Sequence, residues 1–308
     1  MIVVTGGAGF IGSAIIWALN NRGLDDIMAV DSLGCDDRWR NLNGLRFTDY
    51  LEKEDFLDRI LNNKIIKPVE AIIHMGACSD TTEEDVSYLI KNNYEYTKKL
   101  AIWSIENEVR FIYASSAATY GSGANGFSDD ERILDKLRPL NAYGFSKHLF
   151  DLWAYRKGFL DRIVGLKYFN VFGPNEYHKG IMRSVVLKAY KQIKETGKVK
   201  LFKSHRSEYK DGEQKRDFLY ITDAVNMTLH FLDNPELAGI FNIGAGVART
   251  WNDLGKAIFE ALELEPRIEY IDIPERIREH SQYDTRADIS RLRNAGYTAE
   301  TIRLEDAV

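Results

Sequence analysis

Cysteine is scarce in this 308-residue chain: Cys35 and Cys78 stand in unrelated loops, without metal-ligand spacing. That argues against a disulfide framework or a structural metal site and favours a reducing compartment. Excess positive charge is missing too. The formal net charge is -5, which leaves no electrostatic footprint for nucleic acid or an anionic membrane. No apolar run is long enough to read as a bilayer span, and the first residues enter a strand pattern directly. Internal repeats and low-complexity tracts are lacking as well. What remains is a cytoplasmic protein with a large core, built as one large domain or two smaller ones.

Against those absences, the amino end is distinctive. Met1-Ile-Val-Val4 is a short apolar run suited to a buried parallel strand, and Thr5-Gly-Gly-Ala-Gly-Phe-Ile-Gly12 follows it. Gly7, Gly9 and Gly12 have the G-x-G-x-x-G spacing, which serves a tight turn, close approach of backbone to a pyrophosphate, and close packing of the next helix. That helix is predicted over Phe10 to Asn21, with its free N–H groups and positive dipole end turned to the phosphates. A second apolar run, Ile27-Met-Ala-Val30, ends in Asp31, about twenty residues on, where a carboxylate meets the adenosine ribose. Asp31 favours NAD because it repels a 2′-phosphate, whereas Arg38, Arg40 and Lys53 offer cations that would neutralise one. Those three fit a solvated surface equally well. The residues by themselves leave NAD and NADP open.

Strand-like and helix-like segments then alternate. A polar segment runs from Asn41 to Lys53, a helix from near Lys53 to Leu61, and a strand over Ala71–His74. A long helical pattern from Glu83 to Asn107 contains Asn92, Asn93 and Tyr94, and strands follow at Val109–Ala114 and Ile163–Asn170. The loop His74–Ser79 and the pair Ser115, Ser116 fall at the carboxyl ends of strands, the edge where open parallel sheets bind ligands. Beyond Pro174 the pattern loosens around a charged loop, Ser204 to Lys215. The fold class is α/β: a doubly wound parallel sheet (Rossmann) with a smaller carboxyl-side substrate-binding lobe. Residues 1–170 are the cofactor-binding domain, and residues 171–308 are mainly the lobe, with some segments returning to the first domain. The closing Leu304–Val308 reads as the start of a helix, which predicts that further residues follow.

Tyr143 and Lys147 are four residues apart, so on a helix they share a face and point into one cleft. An ammonium beside a phenol favours phenolate, which makes Tyr143 usable as a base, and Lys147 can also donate to a cofactor ribose. Ser116, at a strand end, is suited to hydrogen-bond a reacting oxygen. The glycine turn, the serine strand and the Tyr/Lys pair are coherent only as a nicotinamide-dependent enzyme.

With these motifs in hand, the chain resembles the extended short-chain dehydrogenase/reductase superfamily, mostly nucleotide-sugar epimerases, dehydratases and related oxidoreductases. The marks are Thr5–Gly12, Ser115–Gly121, Tyr143–Lys147, Tyr168-Phe-Asn-Val-Phe-Gly-Pro174 and Lys215–Asp223, spread over nearly the whole chain. Within it, His74–Glu83, Tyr113–Gly121, Asn175–Gly180 and Phe241–Gly246 are most similar to the ADP-heptose 6-epimerase family of lipopolysaccharide inner-core biosynthesis. The resemblance implies transient oxidation at C6 of an ADP-heptose substrate by bound NADP, followed by hydride return to the opposite face. Two acid/base groups serve the two orientations of the ketone, Tyr143 and Lys179, with Ser116 and Lys147 assisting. The implied cofactor contacts are Gly6, Gly9, Phe10, Ile11, Gly12, Asp31, Ser32, Arg38, Lys53, Met75, Gly76, Ala77, Cys78, Ser79, Asn92, Lys147, Val171 and Lys179; the cations among them tip the choice to NADP. The implied substrate contacts are Asn170 at the sugar, Ile181 and Lys188 nearby, Phe202, Lys203, Ser204 and His205 at the adenine end, Arg216 at the pyrophosphate, and Ser281. A homo-oligomer, often a pentamer, is implied too.

Three other readings are weighed against this one. Dehydratases resemble one another in carrying an acidic pair after the active-site Ser/Thr, and here those positions are Ala117 and Ala118. A UDP-hexose 4-epimerase shares the Ser/Tyr/Lys chemistry and differs mainly in the sugar pocket. A non-catalytic NAD(P)-binding regulator typically loses the Tyr/Lys pair, which is present here. The chain departs from the family at Ser281-Gln282, where a Tyr-Gln pair is usual; Tyr283 is the neighbour placed to fill that gap.

Overall fold

The computed structural model describes residues 1–65, 67–275 and 282–308. At its centre is β1 (Ile2–Thr5), whose four residues are all buried. Alternate side chains of a strand point to opposite faces, so Val3 joins the apolar cluster on one side of the sheet while Ile2 and Val4 join the cluster on the other. The same alternation recurs in β5 (Arg110–Ser116), where Phe111 and Tyr113 face one way and Ile112 the other. Burial on both faces is why these strands read as continuous apolar runs.

Around β1 stand β2 (Ile27–Asp31), β3 (Asp49–Glu52), β4 (Ala71–His74), β5, β6 (Val164–Tyr168) and β10 (Gly239–Ile243). Their order across the seven-stranded sheet is β3-β2-β1-β4-β5-β6-β10, and every neighbouring pair is parallel. One face is covered by α2 (Lys53–Leu61), α4 (Tyr96–Glu106) and α5 (Ala142–Arg156), through Phe56, Leu100 and Phe150. The other is covered by α1 (Phe10–Asn21) and α7 (Ile221–Asp233), which bring Ile15, Ile16, Leu19, Met227 and Phe231. This is the expected doubly wound parallel sheet.

Three local expectations are corrected. The polar segment before Lys53 contains β3, an edge strand in which only Leu51 is buried; an edge strand with one neighbour has little apolar signature. The strand predicted over Ile163–Asn170 ends at Tyr168. After Phe169 the chain starts β7 (Asn170–Phe172), which pairs parallel with β9 (Lys215–Tyr220), itself antiparallel to β11 (Ala248–Thr250). The long helical pattern starts at α3 (Val86–Leu89) and is wound as a π segment over Ile90–Glu95 before α4.

On the carboxyl side, β8 (Val199–Phe202) and β12 (Ile268–Ile271) pair in parallel under α6 (Val185–Thr196) and α8 (Trp251–Ala261), around a third cluster that includes Ile193, Leu201, Leu254 and Phe259. β7 and β9 thus carry the chain from the carboxyl edge of the large sheet into this smaller layer, with a cleft between. Among the described residues no helix is long and apolar enough to cross a membrane.

Candidate active site

The glycine turn is built by steric exclusion. Gly6 has φ +66°, and a Cβ there would lie 2.7 Å from the Gly76 amide nitrogen; a Cβ on Gly12 would collide with the Gly6 carbonyl. The positive φ falls on Gly6 and not on Gly7, so the tight turn sits one residue earlier than the motif spacing suggested. With Gly9 as N-cap, α1 opens directly onto the cleft.

Asp31 ends β2, buried, and is held by the turn itself: Oδ2 accepts from the Ala8 amide at 2.9 Å and Oδ1 from the Ser32 amide at 2.7 Å. Arg38 Nη1 lies 3.5 Å from Asp31 Oδ1, while Nε and Nη2 of the same guanidinium grip Asp36 at 2.9 and 2.7 Å. Lys53 donates to Asn92 Oδ1 at 2.6 Å, so these two cleft residues are already joined. Arg40 is different: it pairs with Asp37 at 3.0 Å, stacks over Trp39, and does not line the cleft.

The Met75–Ser79 loop is fixed from two sides. Met75 N donates to the Thr5 carbonyl at 3.0 Å, and Cys78 is clasped by Asn93. Asn93 is fully buried in the π segment and also donates to Ser146 Oγ at 3.0 Å on α5. The extra residue of a π turn re-aims a side chain, and such turns are frequent at functional sites. Sequence reasoning noted Asn93 without giving it a role; adjacency to Asn92 was the only signal.

Ser116, Tyr143 and Lys147 meet at one end of this cleft. The Asn141 side chain accepts from Gly144 N at 2.7 Å and caps α5, which sets Tyr143 on the first turn and Lys147 on the next. Lys147 is buried and donates to the Ala114 carbonyl at 2.8 Å. Burial lowers its pKa to about 8, with Asp151 the main opposing influence. The expectation that the ammonium makes Tyr143 acidic is corrected: burial raises the phenol above its ordinary value, and a hydrogen bond with Ser116 only partly offsets this.

Lys179 lines the same cleft from a separate segment, the 3-10 turn Tyr177–Met182, with Nζ 5.6 Å from the Phe10 ring centroid. Its pKa is lowered, chiefly by burial, against the pull of Glu176. Buried Glu176 accepts from Ser184 Oγ at 2.6 Å and so ties this turn to the start of α6. Phe10, Ile11, Ser32, Ala77, Ser79, Asn170 and Val171 also line the cleft, whose volume is about 810 Å³. His178, Met182, Phe218 and Trp251 line it as well and were not anticipated.

Ile181, Lys188, Phe202, Lys203, Ser204, His205 and Arg216 do not line that cleft. Ile181 is 69% exposed, and Arg216 stacks on the cleft residue Trp251, 5.3 Å from its ring centroid. Ser281 lies outside the described residues. Tyr283 does not stand open to a ligand: it is buried, its hydroxyl accepts from the His205 amide at 2.9 Å, and Arg206 covers its ring at 4.4 Å.

Residues 2–244 match the family model described as the NAD dependent epimerase/dehydratase family. A Nitratidesulfovibrio vulgaris (strain DP4) protein named ADP-L-glycero-D-manno-heptose-6-epimerase is 52% identical over 308 residues, covering 100% of this chain and 95% of that protein. One of the same name from Fusobacterium nucleatum subsp. nucleatum is 46% identical over 317 residues, covering 100% and 96%. Among solved structures, Helicobacter pylori ADP-L-glycero-D-manno-heptose-6-epimerase superposes with a TM-score of 0.82 at 28% identity, covering 99% of this chain and 93% of that one.

Proposed function

The chain belongs to the NAD dependent epimerase/dehydratase family, and from that membership we propose that it converts ADP-D-glycero-beta-D-manno-heptose to its L-glycero epimer at C6. The product serves the lipopolysaccharide inner core, and the enzyme works in the cytoplasm as a homo-oligomer. The observation that supports this reading is one cleft lined both by Ser116, Tyr143 and Lys147 and, from the separate 177–182 turn, by Lys179, in a chain whose full-length relatives bear that enzyme name.

The residues fit a dinucleotide. Gly6, Gly9 and Gly12 leave the backbone bare where a pyrophosphate approaches, and Asp31 holds the ribose position with the Arg38 guanidinium alongside. That guanidinium and Lys53 favour NADP over NAD. When bound there, the nicotinamide supplies reversible hydride acceptance.

The chain's own groups handle the proton and the oxygen. Tyr143 takes the proton of the C6 hydroxyl as phenolate, a form that burial disfavours and that the Lys147 ammonium has to stabilise, while Ser116 hydrogen-bonds the oxygen. After the carbonyl turns over, its oxygen faces the 177–182 turn, where Lys179 supplies the proton. Burial lowers the Lys179 pKa, which suits it to this exchange. Ala117 and Ala118, which follow Ser116, have no proton to transfer, so elimination of water is not supported. Asn170, the first residue of β7 and a cleft residue, is assigned to the sugar, and Arg216 with the Phe202–His205 strand end, both outside that cleft, to the nucleotide.

The test is to incubate the protein and NADP with ADP-D-glycero-beta-D-manno-heptose and, separately, with UDP-hexoses, following stereochemistry by NMR. Inversion at C6 of the heptose is expected, with UDP-hexoses unchanged. Inversion at C4 of a UDP-hexose with the heptose untouched overturns the reading.

A further inference from the structure

Behind the cleft the fold buries a charge pair to which the proton transfers above give no part. Asp151 lies four residues after Lys147 on α5, so the two share a helix face. Asp151 and Lys167 of β6 are 0% and 1% exposed. Lys167 Nζ stands 3.1 Å from Asp151 Oδ2 and donates to Thr119 Oγ1 at 2.6 Å. Asp151 also accepts from the Tyr113 hydroxyl at 3.0 Å and from Ser115 Oγ at 2.7 Å.

Stability alone explains such a pair poorly. Desolvating each ion costs several kcal/mol, and apolar residues of similar volume often do as well or better. Location explains it better. Ser115 precedes Ser116, Thr119 sits in the turn that follows, and the carbonyl that receives Lys147 belongs to Ala114. Asp151 therefore grips the strand end that presents Ser116 from the same helix that presents Tyr143 and Lys147.

We propose that Asp151 is a positioning residue for the reaction: with Lys167 as counter-ion it locks the end of β5 to α5 and supplies the negative charge that faces the Lys147 ammonium. The titratable groups that act on Lys147 are Asp151 on its own helix, Cys78 from the loop after β4, and His74 at the end of β4, with Tyr143 one turn earlier on the same helix. Asp151 in turn faces Lys167 and His148, and Asp129 faces Lys167. Burial lowers His74 to about 3 and His148 to about 4 and raises the Cys78 thiol, so near neutral pH these three add no charge, and the carboxylate that acts on Lys147 is that of Asp151.

The turnover arm of the test rests on the epimerase reading; the binding arm does not. Two variants are compared with wild type: Asp151→Asn, which keeps the shape and removes the charge, and Asp151→Asn/Lys167→Met, which removes both charges and leaves no buried ion unpaired. For each, turnover and the affinity for reduced dinucleotide, read by its fluorescence, are followed from acid to alkaline pH. The alkaline limb of both profiles is expected to move down by roughly one pH unit or more in Asp151→Asn, which leaves the Lys167 charge unopposed, and by less in the double variant, which removes both charges, with turnover in Asp151→Asn about twofold lower at pH 7 and approaching tenfold lower above about pH 9. Should Asp151→Asn fail to fold, the double variant carries the same test. Wild-type profiles in the double variant would mean that Asp151 only neutralises Lys167, and the proposal would fall. A shifted binding profile in a protein whose wild type inverts no heptose leaves this inference standing and removes the epimerase reading instead.

Discussion

Asn93 and Cys78 exchange two hydrogen bonds: the Asn93 amide donates to the Cys78 carbonyl at 2.9 Å, and its oxygen accepts from the Cys78 amide at 2.8 Å. A single side chain thus replaces the strand neighbour that the Met75–Ser79 loop lacks. Because the same amide reaches Ser146, the loop on the cofactor side and the helix carrying Tyr143 share one anchor.

Replacing Asn93, itself fully buried, by Ala leaves the part-buried Cys78 amide and carbonyl and the buried Ser146 Oγ without that partner. Each buried group stripped of its hydrogen bond costs about 1–3 kcal/mol. Asn93→Ala is expected to lower the thermal midpoint by several degrees and to weaken dinucleotide binding, both measurable by a melting scan with and without cofactor. A loss of stability with unchanged affinity would show that the loop keeps its shape without the anchor.

Arg38 stands 3.5 Å from Asp31, and in the proposed reading its guanidinium meets the 2′-phosphate of NADP. Asp31 alone would repel that phosphate. Removal of the guanidinium in Arg38→Ala should weaken NADP about tenfold or more, by loss of charge-assisted hydrogen bonds, while NAD loses little. Parallel fluorescence titrations with the two reduced cofactors measure the ratio; equal losses for both would place Arg38 outside 2′-phosphate recognition.

What the sequence made legible is local. The burial of β1 and β2, the helix after the glycine turn, and the four-residue spacing of Tyr143 and Lys147 each follow from residues close in the chain. The break at Phe169 does not, because apolar residues continue across it and only pairing with β9 turns the strand away. Lys179 against Phe10, and Tyr283 folded under His205 and Arg206, are tertiary contacts between distant segments with no periodic signature. The failed expectation for the Tyr143 phenol has the same origin: spacing locates the ammonium, but burial depends on the whole fold.

Lys179 carries the second proton transfer in the proposed reaction, from a lip of the cleft built by the 177–182 turn. General acid/base groups contribute roughly 10²–10⁴ in rate. Lys179→Ala is expected to bind dinucleotide with little change and to lose epimerisation by a factor in that range. Hydrogen–deuterium labelling at C6 adds a second readout, since oxidation through Tyr143 and return to the same face survive the substitution. Near-normal inversion by Lys179→Ala would remove it from the reaction.

Lys147 sets function against stability. Its ammonium is buried with a pKa depressed from 10.5 to about 8, so at pH 7 the native state carries a charge whose burial costs on the order of 3 kcal/mol. Lys147→Met removes that charge but leaves the Ala114 carbonyl without its donor, which offsets about 1 kcal/mol. The variant should therefore be more stable than wild type by about 2 kcal/mol at neutral pH, and inactive. The sign of the pH dependence follows from proton counts. Between about pH 8 and the unfolded value near 10.5, the native wild-type lysine is neutral while the unfolded one is still protonated, so wild-type stability rises with pH over that window. The variant has no such group, and its advantage should shrink from pH 8 upward and be lost by about pH 10.5. Denaturant melts of the two proteins across that range measure the closing gap; a gap that stays constant with pH would mean that the native Lys147 holds its proton as tightly as the unfolded lysine does, so that burial does not depress its pKa.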